Sequence, residues 1–169
     1  GSCFAQQIAH QLQKLGYNYV IEEDDLPDGF PIQKLESSFY RMSPARVGRL
    51  LNVGSVRQMI ERAFGEWKPE MFILKKNNKY LDPFRYTIKT LYNSIDKYYE
   101  DYQKHTEALQ RALLKCKVFI ITLGLTEAWQ FAHSGDYISM DPQIIDPFLV
   151  RQKNLSFEDN LYELEKIIK

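Results

Sequence analysis

The sequence predicts an α/β domain built on a largely parallel sheet. Amphipathic helical stretches alternate with segments of strand length along a chain of 169 residues. The run Val118-Phe119-Ile120-Ile121-Thr122-Leu123 is apolar throughout and has the length of one strand, as expected for a parallel strand covered on both faces. With 44% apolar residues, the chain carries enough hydrophobic surface for one core of ordinary size.

The elements follow in order. Phe4, Ala5, Ile8, Ala9, Leu12 and Leu15 recur at helical spacing, and Gly16 stands where a left-handed cap is cheapest. Tyr17 to Ile21 alternates weakly and predicts a short strand running into the acidic loop Glu22-Glu23-Asp24-Asp25, read as a charged rim rather than a metal site. Pro27, Asp28, Gly29 and Pro31 open an irregular stretch that extends to about Asn52. Ser55 is the expected cap of a second helix with Val56, Met59, Ile60, Ala63 and Phe64 on its apolar face, ended by Gly65 and Pro69.

Met71 to Leu74, the turn Lys76-Asn77-Asn78-Lys79, and Tyr80-Leu81 predict a hairpin, because Asn tolerates the positive φ of a tight turn. The longest helix is expected from about Ser94 to Cys116, with Ile95, Tyr98, Tyr102, His105, Leu109, Ala112 and Leu113 on one face. The apolar run 118–123 follows. Ser134-Gly135-Asp136 reads as another hairpin tip and Asp141 to Pro147 as loop. A last helix is capped by Ser156, with Asp159 three residues on and Phe157, Leu161, Leu164, Ile167 and Ile168 predicted to face inward. The chain begins with Gly1 rather than Met, and Leu161 to Lys169 still reads as helix, so a domain cut at both ends is expected.

Charge and composition exclude several classes. With 22 basic against 22 acidic residues, the chain lacks the cationic surplus that nucleic acids and anionic membranes require. No apolar run approaches the roughly 20 residues of a membrane helix. Two cysteines are too few for a disulfide framework and have no Cys/His companions at zinc spacing, so a reducing cytoplasm is expected and neither metal nor cofactor is implied.

Parallel sheets bind ligands at the carboxyl ends of their strands, which directs attention to two turns. Gly1-Ser2-Cys3-Phe4-Ala5 lies before the first helix, where unpaired N–H groups favour a thiolate. Gly124-Leu125-Thr126-Glu127-Ala128-Trp129 follows the apolar run and offers a hydroxyl and a carboxylate. Thr126 could equally cap a following helix.

These residues resemble the GSCFA domain family, a bacterial offshoot of the SGNH/GDSL-like hydrolases. The opening Gly1-Ser2-Cys3-Phe4-Ala5 looks like its signature. Arg62-Ala63-Phe64-Gly65-Glu66, Asp82-Pro83-Phe84-Arg85, Thr122 to Trp129, and Asn154-Leu155-Ser156-Phe157 look like further family segments. The resemblance implies a single domain over 1–169, a three-layer sandwich with a largely parallel sheet, lacking its first strand and C-terminal catalytic part.

The resemblance also implies a site. Aligned on the glycine of the superfamily's Gly-Asp-Ser block, Cys3 falls at the nucleophile and Ser2 at the Asp, with Ser2 kept as an alternative nucleophile. Gly54 is the counterpart of the glycine whose amide helps bind the oxyanion. Thr126 stands where the oxyanion-binding Asn is expected, and Glu127 where an Asp follows. The superfamily's Asp-x-x-His, which supplies the base, has no match, since none of His10, His105 and His133 has an Asp three residues before it.

Several plainer roles compete. Gly1-Ser2 could be a tag scar with Cys3 a buried thiol, and Asp82 with Arg85 an ion pair anchoring the hairpin. Trp67 and Trp129 could be core residues rather than the wall of an acyl or sugar pocket, and Cys116 is expected to pack. The function expected is hydrolysis of a small-molecule or glycan-linked ester, or CoA-dependent acyl transfer, with a glycan- or acyl-binding module without turnover as the alternative.

Overall fold

The computed structural model describes residues 3–26, 33, 40–69, 73–85, 88, 90–139 and 145–169, with only the backbone of Cys3. Four α-helices are present among the described residues: α1 (Cys3–Lys14), α2 (Val53–Phe64), α3 (Ile95–Lys115) and α4 (Phe157–Ile168). The strands form two small sheets. β1 (Leu74–Lys76) pairs with β2 (Lys79–Leu81), and β3 (Glu127–Phe131) lies between β4 (Tyr137–Ile138) and β5 (Val150–Asn154). All of these pairings are antiparallel. None of the described helices is long and apolar enough to cross a membrane.

The largely parallel three-layer sandwich is therefore overturned. Residues 118–123 form no regular element, no described strand pairs with them, and Val118 is 76% exposed. An apolar run of strand length becomes a strand only when a neighbour takes its backbone hydrogen bonds. Tyr17 to Ile21 likewise forms no strand. The main sheet is instead made where the sequence signal is faint. β5 reads Val-Arg-Gln-Lys-Asn and pairs with β3 along five residues, from Glu127↔Asn154 to Phe131↔Val150, as a polar edge strand.

Local chemistry sets the element ends. Gly16, at φ 77°, supplies the left-handed residue just after α1. α2 is capped by Asn52, whose side chain accepts the Ser55 N–H at 2.8 Å, so the cap is three residues earlier than Ser55 and the helix starts at Val53. Asn77 and Asn78, at φ 50° and 58°, turn the β1–β2 hairpin in two residues. Ser94 caps α3 and Ser156 caps α4, the latter in a reciprocal box with Asp159. The inward face of α4 differs from expectation. Glu163 is its buried residue, paired with Arg57 of α2, while Phe157 and Ile168 are 75% and 76% exposed.

The core has three parts. One joins Ala45, Val47 and Leu50 to Met59, Ala63 and Leu109 of α2 and α3. The second gathers Leu81, Phe84, Phe131, Ile138 and Ile145, with Trp67 and Trp129 packed against it. In the third, Ala128, Tyr137 and Leu155 meet under α2. Tyr137 is held firmly. Its N–H and C=O bond to the Gln58 amide at 2.6 and 2.9 Å, and its hydroxyl reaches Glu163 at 3.1 Å.

That fixed ring explains Gly54, because a Cβ there would lie 2.1 Å from Tyr137 Cε2. In an open helix Gly→Ala is stabilising by about 1 kcal/mol. Here Gly54→Ala is expected to be destabilising by about 1–3 kcal/mol, because the clash falls on an anchored ring. Urea unfolding decides it, and a gain in stability would show that the ring yields.

Candidate functional site

A half-open apolar cavity of about 640 Å³ lies between α1, α2 and α3. Segments 17–20, 42–48 and 116–122 complete its wall. Ala5, Val56 and Thr122 all line it, so the start of α1, the first turn of α2 and the approach to Gly124 share one cavity. The α2 start and the 124–127 turn are also bonded directly, because the Leu125 N–H donates to the Leu51 C=O at 2.8 Å.

The predicted residues are distributed as follows. Ser2 lies outside the described residues, as does the side chain of Cys3, whose backbone opens α1. Gly54 is buried at the second position of α2, where helix geometry leaves its N–H without an intrahelical acceptor. Thr126 is exposed, and its C=O accepts the Leu155 N–H at 2.8 Å. Glu127 is exposed and opens β3, so Thr126 precedes a strand and the helix-cap role is overturned. Trp67 bonds Asp136 at 2.8 Å and meets Phe84 edge-on at 4.7 Å, so it belongs to the core, as does Trp129. Cys116 caps the end of α3 and lines the cavity.

Away from the cavity mouth lies a buried ionic network that sequence reasoning missed. Arg85, 1% exposed, donates to the Arg46 C=O at 3.1 Å and to Asp101 at 2.9 Å, and its charge faces Glu23 at 3.5 Å. Asp101 also accepts from the Tyr92 hydroxyl at 2.6 Å. Glu23 accepts from the Arg46 N–H at 2.7 Å and pairs with His105 Nδ1 at 2.6 Å. Asp82 takes Arg62 at 2.8 Å and the Phe84 N–H at 2.8 Å, so the expected Asp82–Arg85 ion pair is replaced by Asp82–Arg62 and Arg85–Asp101.

The acidic run is more than a solvated rim. Glu22 pairs with Arg111 and Lys115 of α3, Asp24 pairs with Arg41, and Glu23 turns inward. Among the described residues no cluster of three His, Cys, Asp or Glu side chains could hold a metal ion.

Burial sets the protonation of this network. Burial first, then the Arg85 charge, lowers the His105 pKa to about 4 despite Glu23, so the imidazole is neutral at pH 7. Burial alone would raise the Glu23 carboxyl, but its bonds to His105 and Arg46 and the charge of Arg85 hold it below the usual range. Asp82 is likewise held ionised, because Arg62 and Arg85 outweigh its burial. His105 is fully enclosed, which removes it as a base for the cavity, while His10 and His133 are exposed.

The model of the GSCFA family matches residues 1–169. The chain belongs to the GSCFA family. No curated protein and no solved structure matches it. In this GSCFA chain the segments 62–66 and 82–85 contribute Arg62, Asp82 and Arg85 to the buried network. A charged residue on the inner face of an amphipathic helix, as Arg62 is on α2, is a further sequence signal for that network beside His105 on the packed face of α3.

Both shifts bear on stability with the same sign. His105 has a folded pKa below its unfolded value, so between about pH 6.5 and 4 the unfolded chain binds the extra proton. The lowered Glu23 carboxyl adds to the loss at more acidic pH, because it too takes up its proton more readily when unfolded. Stability is therefore expected to fall as the pH drops below 6.5. His105→Gln should flatten the slope between pH 6.5 and 4. An unchanged slope in urea titrations would show that His105 does not carry it.

Proposed function

We propose that this GSCFA chain forms the acyl-binding face of an SGNH-type hydrolase or acyltransferase. The observation that supports this reading is that residues adjoining three candidate turns line one apolar cavity, although Gly54, Thr126 and Glu127 themselves do not. Ala5, Val56 and Thr122 share its wall, and the Leu125–Leu51 hydrogen bond fixes the third turn to the second. An apolar cavity suits the hydrocarbon part of an ester, and helix N-termini suit the charge that develops on its carbonyl oxygen.

In this reading the Cys3 thiolate, favoured by its place at the start of α1, attacks the carbonyl carbon, with Ser2 as the alternative nucleophile. The tetrahedral oxyanion is held by amides at the starts of α1 and α2 and by the Thr126 hydroxyl. Its collapse breaks the ester C–O bond and releases the alcohol, which takes a proton. Water then cleaves the acyl-enzyme to a carboxylate, or a second acceptor takes the acyl group. Glu127 orients neighbouring groups at the turn. A bacterial, reducing cytoplasm keeps the Cys3 thiol free. The enclosure of His105 favours a second reading, in which the cavity binds an acyl or glycan-linked group without turnover.

Incubation with an activated acyl ester, followed by peptide mass spectrometry, separates these readings. The expected result is an adduct on Cys3 that Cys3→Ala abolishes and Ser2→Ala leaves in place. Labelling unchanged in both variants would sink the nucleophile assignment. Saturable binding of the ester without any adduct would favour the binding module.

A further inference from the structure

The apolar cavity has a polar end. Asn18, Tyr19, Val20 and Lys115 line it and also line a smaller open pocket of about 450 Å³, which Ile21 and Glu22 complete. One continuous space therefore runs from the apolar faces of α1, α2 and α3 to the last turn of α3, where Lys115 stands. Among the described residues that line the larger cavity, the charged ones are Lys115 and Lys117, and no carboxylate joins them.

The charges at the polar end do not cancel. Glu22 accepts from Lys115 Nζ at 2.7 Å on one oxygen and from Arg111 Nε at 3.2 Å on the other, so two cations share one carboxylate. One positive charge is left over there, in a chain whose net charge is zero. An ammonium carries three donors, and that of Lys115 gives one to Glu22. The side chains of Asn18 and Tyr19 have no hydrogen-bond partner among the described residues. Burial pushes the Tyr19 hydroxyl up to about 12, so it stays protonated and able to donate at pH 7.

We infer that this space binds a single-chain aliphatic carboxylate, with its hydrocarbon tail in the apolar cavity and its head between Asn18, Tyr19 and Lys115. A carboxylate is a monoanion and matches the single surplus charge. Its two oxygens accept from the Lys115 ammonium and from the neutral donors of Asn18 and Tyr19. A neutral head would leave that charge unmet, and a cationic one would be repelled. The apolar part, about 640 Å³, has the size of small-molecule sites, which span about 300–1,000 Å³. The choice of an aliphatic tail rests on the acyl-site reading, whereas the preference for an anionic head follows from the charges of the pocket. Lys115 is then a specificity-determining residue.

The test titrates the chain with decanoate, decanol, decyltrimethylammonium and inorganic phosphate, the decyl probes kept below micelle-forming concentrations. Backbone amide signals are followed by NMR in the wild type, Lys115→Gln, Tyr19→Phe and Glu22→Gln. Decanoate is expected to saturate with shifts at residues 17–20 and 115–122, and to bind about tenfold or more tightly than each of the other probes. Lys115→Gln should weaken decanoate about tenfold and Tyr19→Phe about threefold, both leaving decanol unchanged. Glu22→Gln removes the counter-charge and should tighten decanoate about threefold, a gain that damage to the fold does not produce.

Equal binding of decanoate and decanol, or phosphate or the cationic amphiphile bound as tightly as decanoate, would overturn the inference. So would Lys115→Gln or Tyr19→Phe acting on decanol as much as on decanoate, or Glu22→Gln failing to tighten decanoate. The two failures are separable. Selective decanoate binding without a Cys3 adduct fails the nucleophile alone, and a Cys3 adduct with decanoate and decanol bound alike fails this assignment alone.

Discussion

Arg85 ties together parts of the chain that lie far apart in sequence. From one enclosed guanidinium it reaches the backbone of Arg46, the carboxylate of Asp101 on α3 and the carboxylate of Glu23. Glu23 carries the constraint onward to His105 and to the Arg46 N–H. Two irregular stretches, around residues 17–26 and 40–50, are thus fixed against the longest helix without a sheet to hold them. They form much of the cavity wall, so the shape of the candidate site depends on a charge cluster that does not touch it.

Such a cluster is costly to bury and is retained only if every charge is met. Arg62 and Arg85 face Asp82, Asp101 and Glu23, with His105 neutral, and the nearby Arg46 bonds Glu23 through its backbone N–H and Thr90 through its guanidinium. Aromatic faces complete the screening, with Tyr40 under Arg46 at 4.2 Å and Tyr102 under Arg62 at 4.1 Å. Removing one partner would leave its opposite buried and uncompensated, which typically costs about 3–5 kcal/mol. Geometry rather than net attraction is what the network supplies, because each carboxylate accepts from a particular direction.

What the sequence made legible is what depends on neighbours a few residues apart. The Ser156–Asp159 box, the start of α3 near Ser94, the Asn77-Asn78 turn and the amphipathic face of α3 are all local and stand as expected. Asn52 and Ser55 show the limit of that reasoning. Both are good caps, and only the folded backbone decides that Asn52 closes the helix while Ser55 is left over. β5 and residues 118–123 show a larger limit. A polar segment became a strand because β3 offered it partners, and an apolar one did not because none of the described strands did. The ionic network links residues as far apart as Glu23 and His105, a pairing that neither spacing nor periodicity encodes. For the site, sequence identified the turns, but their common cavity and the Leu51–Leu125 bond are tertiary facts.

The unpaired apolar run 118–123 has a consequence for how this chain behaves in a crowded solution. Short stretches rich in β-branched and aromatic residues, uncharged and free of proline, are the ones that stack into intermolecular cross-β arrays. This stretch meets that description, and Val118, Phe119, Ile120 and Leu123 are each about half exposed or more. Lys115 and Lys117 stand immediately before it, and charged residues in such flanking positions act as gatekeepers by repelling an identical segment in register. Of these two ammonium groups, the Lys115 one is already paired with Glu22, which leaves Lys117 as the nearer guard of the run. A chain without net charge has little long-range repulsion to add, so concentration and ionic strength govern how long it stays dispersed.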